Sequence, residues 1–181
     1  MAQLVFAMNM SLDGFVDHTA FGPGPALFQH FITMTRELTG SLYGRELYEI
    51  MRYWDSDAWE EDDLIPRDQL RAFAEAWRRQ PKWVASRTLA DVGPNTTVLG
   101  EDFAAEVLRL KQEQTGRINV GGPKLAASLA DLGLLDAYEI YLRPFVIGSG
   151  APFFARPPGL LRLVSQERIG EDAVRLVYEA G

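Results

Sequence analysis

The chain has no cysteine among its 181 residues. That absence excludes a disulfide framework, a thiolate metal site and a cysteine nucleophile, and it fits a reducing compartment, so a cytoplasmic location is expected. Basic residues are sparse as well: the first Lys or Arg is Arg36, and the N-terminus therefore lacks the charged region that opens a signal peptide. No uninterrupted apolar run approaches the ~18 residues of a membrane span, so no membrane partner is expected. Eighteen Lys and Arg face 25 Asp and Glu, giving a net charge of −7 with no basic block to offset it locally. Such a balance repels a phosphate polymer and argues against nucleic acid as a partner. A few placed arginines and a helix N-terminus still suffice for a handful of phosphates. The two histidines, His18 and His30, have no carboxylate at metal spacing and read as surface or capping groups, so no metal is expected.

What is present is an ordinary globular composition, 47% hydrophobic and 24% charged, in a chain long enough for one full core and too short for two. A single domain spanning residues 1–181 is expected. Leu4 to Met10 form an almost continuous apolar run, as in a central strand buried on both faces. Phe21 to Pro25 read as a loop. Pro25 then opens a helix with Leu27, Phe31, Met34 and Leu38 on one stripe and Phe28 and Ile32 on a second. A short strand, Ser41 to Tyr43, runs into Gly44 and a helix. Tyr53 to Pro66 mix two Trp with six acids and read as an exposed, partly mobile loop. Pro66 starts a helix carrying Leu70, Phe73 and Trp77. Strand and helix then alternate through Val120, which argues a largely parallel sheet covered by helices. After a further helix, which Gly133 ends, the runs Ala137 to Leu142, Leu161 to Glu167 and Ala173 to Glu179 have no helix between them. They predict antiparallel strands along one edge.

Three glycine-bearing junctions fall where a strand meets a helix or loop: Asn9 to Gly14, Gly44-Arg45-Glu46, and Gly121-Gly122-Pro123-Lys124. Open α/β sheets bind ligands at the carboxyl ends of their strands, and bare N–H groups at a helix start attract anions. Two such junctions with basic residues suit a dinucleotide, although no GxGxxG fingerprint follows the first strand. Arg87, flanked by the hydroxyls of Ser86 and Thr88 after a strand, offers a charged fork with neutral donors beside it, as a phosphate needs.

The residues at these junctions resemble a known family. Phe-Ala-Met-Asn-Met-Ser-Leu-Asp-Gly-Phe-Val (6–16), Tyr-Gly-Arg-Glu-Leu-Tyr-Glu (43–49), Val-Ala-Ser-Arg-Thr-Leu (84–89) and Ile-Asn-Val-Gly-Gly-Pro-Lys-Leu (118–125) are similar to successive signatures of the dihydrofolate reductase superfamily. Leu-Arg-Pro-Phe-Val-Ile-Gly-Ser-Gly-Ala-Pro-Phe-Phe (142–154) is similar to the RibD C-terminal, riboflavin-biosynthesis reductase branch. The resemblance implies a dihydrofolate-reductase-like three-layer α/β/α fold, with a mixed, mostly parallel central sheet and an antiparallel C-terminal edge. It also implies a homodimer and a bound NADPH. It places Ala7 under the nicotinamide, Ser11, Gly14 and Val16 in a closing loop, and Gly44, Arg45 and Glu46 at the pyrophosphate. Ser86, Arg87 and Thr88 fall at the 2′-phosphate, and Gly121, Gly122, Pro123, Lys124 and Leu125 on the cofactor's other side, with Gly121 and Gly122 bare enough for backbone to approach a flat ring.

The chain departs from that pattern at two positions. Ala7 stands where riboflavin reductases carry lysine, and the first helix holds no carboxylate before Glu37, where dihydrofolate reductases carry an acid. The expectation is an NADPH-dependent reductase of a small heterocyclic or carbonyl substrate. The alternatives are 5-amino-6-(5-phosphoribosylamino)uracil reductase and a non-catalytic nucleotide-binding protein. The expected substrate pocket draws on Phe28, Phe31, Ile32 and Trp54, with Trp59 beside them. Asp13 and Tyr48 are the candidate proton donors, although Asp13 reads first as a turn residue and Tyr48 first as a packed one.

Overall fold

The apolar opening run forms a strand, β1 (Gln3–Met10), with Leu4 and Phe6 buried on one face and Val5 on the other. The computed structural model describes residues 1–17, 22–61, 64–100 and 102–180; His18, Phe21, Asp62 and Asp63 lie outside them. The remaining strands are β2 (Phe15–Val16), β3 (Gly40–Gly44), β4 (Lys82–Ala85), β5 (Thr96–Leu99), β6 (Arg117–Gly121), β7 (Ala137–Leu142), β8 (Ala151–Pro152), β9 (Leu161–Ile169) and β10 (Ala173–Ala180). The helices are α1 (Pro25–Glu37), α2 (Arg45–Met51), α3 (Arg67–Arg79), α4 (Phe103–Glu113) and α5 (Pro123–Asp131). One sheet runs β5-β4-β3-β6-β1-β7-β10-β9, and β2 pairs with β8 in a small ribbon.

Pairings from β5 across to β7 are parallel, and β10 pairs antiparallel with both β7 and β9. β7, β10 and β9 thus make the antiparallel edge that the sequence implies. β7 lies parallel to β1, since α5 carries the chain back over the sheet before β7 starts. On one face Leu4, Phe6, Ile118, Val120 and Ile140 pack with Val107 of α4 and Leu129 of α5. On the other, Tyr43 and Val84 pack with Phe28 and Ile32 of α1 and with Leu70, Phe73 and Trp77 of α3. These are the three layers.

The acidic stretch after α2 is more ordered than its charge suggests. It folds into two 3-10 turns, Arg52–Asp55 and Ala58–Glu61, and buries Trp59 and Ile65. Arg78 of α3 donates to the Trp54 and Ser56 carbonyls, each at 2.7 Å, and to Asp57 Oδ1 at 2.7 Å. Burying one tryptophan outweighs several solvated acids on the outer side.

The sheet face beneath α1 carries buried charge, where helix-covered parallel strands are normally apolar. Glu139 of β7 accepts from Arg117 of β6, from Arg175 of β10 and from the Tyr141 hydroxyl. His30 Nε2 of α1 lies 2.9 Å from that hydroxyl. The hydroxyl proton points to Glu139, so the ring supplies the N–H. Burial alone would raise the Glu139 carboxyl, but the bonds from Arg175 and Tyr141 and the charge of Arg117 outweigh it and bring it down to about 2. Arg143, just past β7 and equally buried, donates to Asp172 Oδ2 at 2.6 Å, to the Gly22 carbonyl at 3.0 Å and to Asn9 Oδ1 at 3.3 Å.

A carboxyl held below its unfolded value stabilises the fold above that value and loses the contribution as pH falls through the folded one. The Glu139 contribution is thus expected to be complete above about pH 4.5 and to fade toward pH 2. Glu139→Gln should lose ~3 kcal/mol at pH 7 and flatten the acid limb of stability measured by urea denaturation across pH.

Candidate active site

Between the sheet and the α1/α3 pair lies a cavity of about 240 Å³. This is smaller than the ~300–1,000 Å³ of most ligand pockets and suits a one- or two-ring molecule. Phe28 and Phe31 of α1, Trp54 of the first 3-10 turn and Phe73 of α3 wall it, and the Trp54 and Phe73 rings lie 4.7 Å apart. Ala7, Asn9, Ser41, Tyr43, Asn119 and Gly121 form the sheet side, and Gln80 lines it too. Asp17, Gly22 and Pro23 also border it. Strand alternation accounts for the sheet-side set: Ser41 pairs with Asn119, which pairs with Val5, so all three face α1 and α3. The Asn119 Oδ1 atom is buried without a hydrogen-bond partner, a state that costs about 1–3 kcal/mol.

Outside the cavity a groove crosses the carboxyl ends of β1, β3 and β6. Gly44, Arg45 and Glu46 border it at the start of α2, Gly122, Pro123, Lys124 and Leu125 at the start of α5, and Val16 with Ala151 and Pro152 on the ribbon side. Met8 and Leu47 line both groove and cavity. At Ala85 the groove meets a second one, lined by Ser86, Arg87, Thr88, Leu99, Gly100 and Phe103. Arg45 reaches between them, its Nη1 donating to Thr88 Oγ1 at 2.9 Å.

The groove has the donor set of a dinucleotide site. Gly122 holds a φ of +113° with open space where a Cβ would stand, a conformation L side chains rarely adopt. Behind it α5 runs for nine residues with Pro123 in its first turn, so its free N–H groups face the groove. Ser86 Oγ accepts from the N–H groups of Thr88 and Leu89 at 3.2 and 3.0 Å. That fixed turn presents Arg87, exposed and without an ion pair among the described residues.

The RibD C-terminal domain family model matches residues 2–175. The chain belongs to that family. An uncharacterized protein of Bacillus subtilis (strain 168), YyaP, is 23% identical over 97% of this chain and 94% of its own length. A putative riboflavin biosynthesis protein from Shewanella sp. PV-4 superposes with a TM-score of 0.69 at 16% identity, covering 100% of this chain and 99% of that one. Dihydrofolate reductase from Enterococcus faecalis, complexed with NADP(H) and RAB-propyl, superposes with a TM-score of 0.64 at 12% identity, covering 98% and 95%. The fold is thus the dihydrofolate-reductase-like three-layer arrangement.

This RibD C-terminal domain redistributes several residues that the sequence assigns. Ala7 and Gly121 face the cavity and do not line the groove. A Cβ on Gly121 would stand 2.5 Å from the Tyr43 ring, so Gly121 makes room for a side chain of its own fold. Ile32 and Trp59 are core residues that do not line the cavity, because α1 turns Phe28 and Phe31 toward it and Ile32 toward α3. Ser11 and Gly14 line neither groove; Ser11 is buried, donating to Asp13 at 2.6 Å and accepting from the Phe15 N–H at 2.9 Å. Asp13 also accepts from the Gly148 and Ile147 amides, at 2.7 and 3.3 Å. The Ser11 bond, set against the cost of burial and aided by those amides, holds its carboxyl below the usual range, so it staples the loop as a carboxylate and carries no proton to donate at neutral pH. Tyr48 is buried away from the cavity, its hydroxyl accepting from the Gly93 N–H at 2.8 Å. His30 is no surface group: burial and then the Arg175 charge pull its pKa down, leaving it neutral at pH 7. Among the described residues no cluster has the makings of a metal site.

Sequence reasoning missed Asn9, Ser41, Gln80 and Asn119. Their signal is a polar side chain on the inward face of a strand or just before one, at positions where neighbours are apolar. Gly121→Ala should cost ~1–3 kcal/mol in urea denaturation, since the new methyl drives the Tyr43 and Leu47 side chains from their places.

Proposed function

We propose that this protein is an NADPH-dependent reductase of a small, uncharged heterocyclic or carbonyl substrate. The observation that carries the reading is the junction at Met8 and Leu47, where a groove suited to a dinucleotide meets an aromatic-walled cavity. Family membership supports it. NADPH, when bound, supplies a hydride.

The chain's own residues then have separable tasks. Arg87 gives a charged fork to the 2′-phosphate, with Thr88 Oγ1 and Arg45 beside it. The Gly122 turn, the N–H groups of α5 and Lys124 face the pyrophosphate. Phe28, Phe31 and Trp54 hold a ring against Ala7 and exclude water from it. Among the described lining residues Asp17 is the only charged one, so the proton comes from water or a pocket hydroxyl, Ser41 or Tyr43. Burial pushes the Tyr43 hydroxyl up, keeping its proton in place until a substrate draws on it. A phosphoribosyl substrate would find no Lys or Arg in that lining, which favours a smaller uncharged molecule over the riboflavin-pathway intermediate.

We also propose a homodimer, with β9 as the contact. It is an edge strand exposing Leu163 and Val164, and such edges ordinarily need cover. Light scattering on the eluting protein should give twice the chain mass, and Val164→Lys should return it to one.

The reductase reading is tested by melting temperature in the presence of NADPH or NADH, in wild type and in Arg87→Ala. A ligand at 100 times its Kd adds ~2.7 kcal/mol, a rise of a few degrees for a chain of this size. NADPH should give that rise, NADH a smaller one, and Arg87→Ala should bring the two together. No shift with either nucleotide removes the reductase reading.

A further inference from the structure

Asparagine has low preference for strands, and a helix-covered parallel sheet ordinarily fills such positions with Val or Ile. Asn119 stands in the middle of β6, paired with Val5 on one side and Ser41 on the other. Its carbonyl oxygen is shut off from solvent, has no partner and belongs to a residue lining the cavity. Its polar neighbours are otherwise engaged. Ser41 Oγ donates to Gln80 Oε1 at 3.3 Å, and at the far end of the same face Asn9 Oδ1 is taken by Arg143. The fold thus leaves one acceptor unpaired beside the cavity, at a cost that nothing within the chain recovers. Local rules broken in this way concentrate at functional sites.

We propose that Asn119 reads the substrate, its carbonyl accepting a hydrogen bond from an N–H or O–H group at the buried end of an uncharged ring. The proposal rests on the reading of this cavity as the substrate site and narrows it to donor-bearing rings. The cavity takes donors in preference to isosteres with an acceptor in that place, because an ether or ring oxygen would oppose the Asn119 oxygen and leave it unpaired.

The test uses the full chain and two matched pairs of probes, benzimidazole against benzoxazole and indole against benzofuran. In each pair a ring N–H is exchanged for oxygen with little change of shape. Calorimetric titration of wild type should show the N–H member binding at least tenfold tighter in both pairs. Asn119→Val should bring the members of each pair to within about twofold, while its melting temperature stays at or above that of wild type and its NADPH shift is unchanged. Equal affinities within the pairs in wild type, or no binding of any probe, overturns the proposal, and neither outcome depends on a variant folding. The two readings fail separately. An NADPH shift with no donor preference sinks this inference alone, whereas a donor preference that vanishes in Asn119→Val with no NADPH shift keeps it and sinks the reductase reading.

Discussion

The carboxylate of Glu139, enclosed beneath α1, is the constraint around which this half of the molecule is arranged. A buried charge has to be met by opposite charge and by hydrogen bonds, or it neutralises. Here the partners arrive from β6, β10 and the neighbouring Tyr141, and α1 joins through His30. Four elements are therefore held in one register by one carboxylate. Phe31 packs edge-on against Tyr141 at 4.9 Å, so the cavity wall is seated on the same network. Arg143 extends it, tying the end of β1 to the β9–β10 turn and to the chain leading into α1.

The division of labour follows from which parts of the chain face which opening. The groove is bordered mainly by junctions, where backbone N–H groups and the ends of helices are free to meet phosphate. The cavity is lined by strand interiors and the inner faces of helices, where a side chain's direction is set by alternation. Both open from the carboxyl-end region of β1, and Met8 borders each.

The periodic elements were legible in the sequence. The run at Leu4 to Met10, the stripe of Leu70, Phe73 and Trp77, and the Pro123 and Gly133 limits of α5 each follow from one local rule, and the structure has them. Strand direction was legible from the connections, since helices between strands give parallel pairs and their absence after β7 gives antiparallel ones. The acidic segment misled because charges are counted singly, whereas Trp59 and Ile65 act through the surface they bury. Within the site, the groove junctions were visible as glycines before helices. The two sides of a strand were not: alternation says that Ala7 and Met8 face opposite ways, but only the fold says which of them meets the cavity alone. Asn119 was not singled out, because its meaning depends on what lies across the sheet.

Trp54 gives the cavity an optical reporter of its own. Its indole is wedged between Phe28 and Phe73 on the wall and Trp77 also borders the cavity, while Trp59 is sealed in core and Trp83 packs on the other face of the sheet. A molecule entering the cavity changes the surroundings of Trp54 and Trp77 and leaves Trp59 and Trp83 as an internal standard. Occupancy can then be followed by intrinsic emission in the unlabelled protein, at concentrations and on timescales where turnover would be invisible.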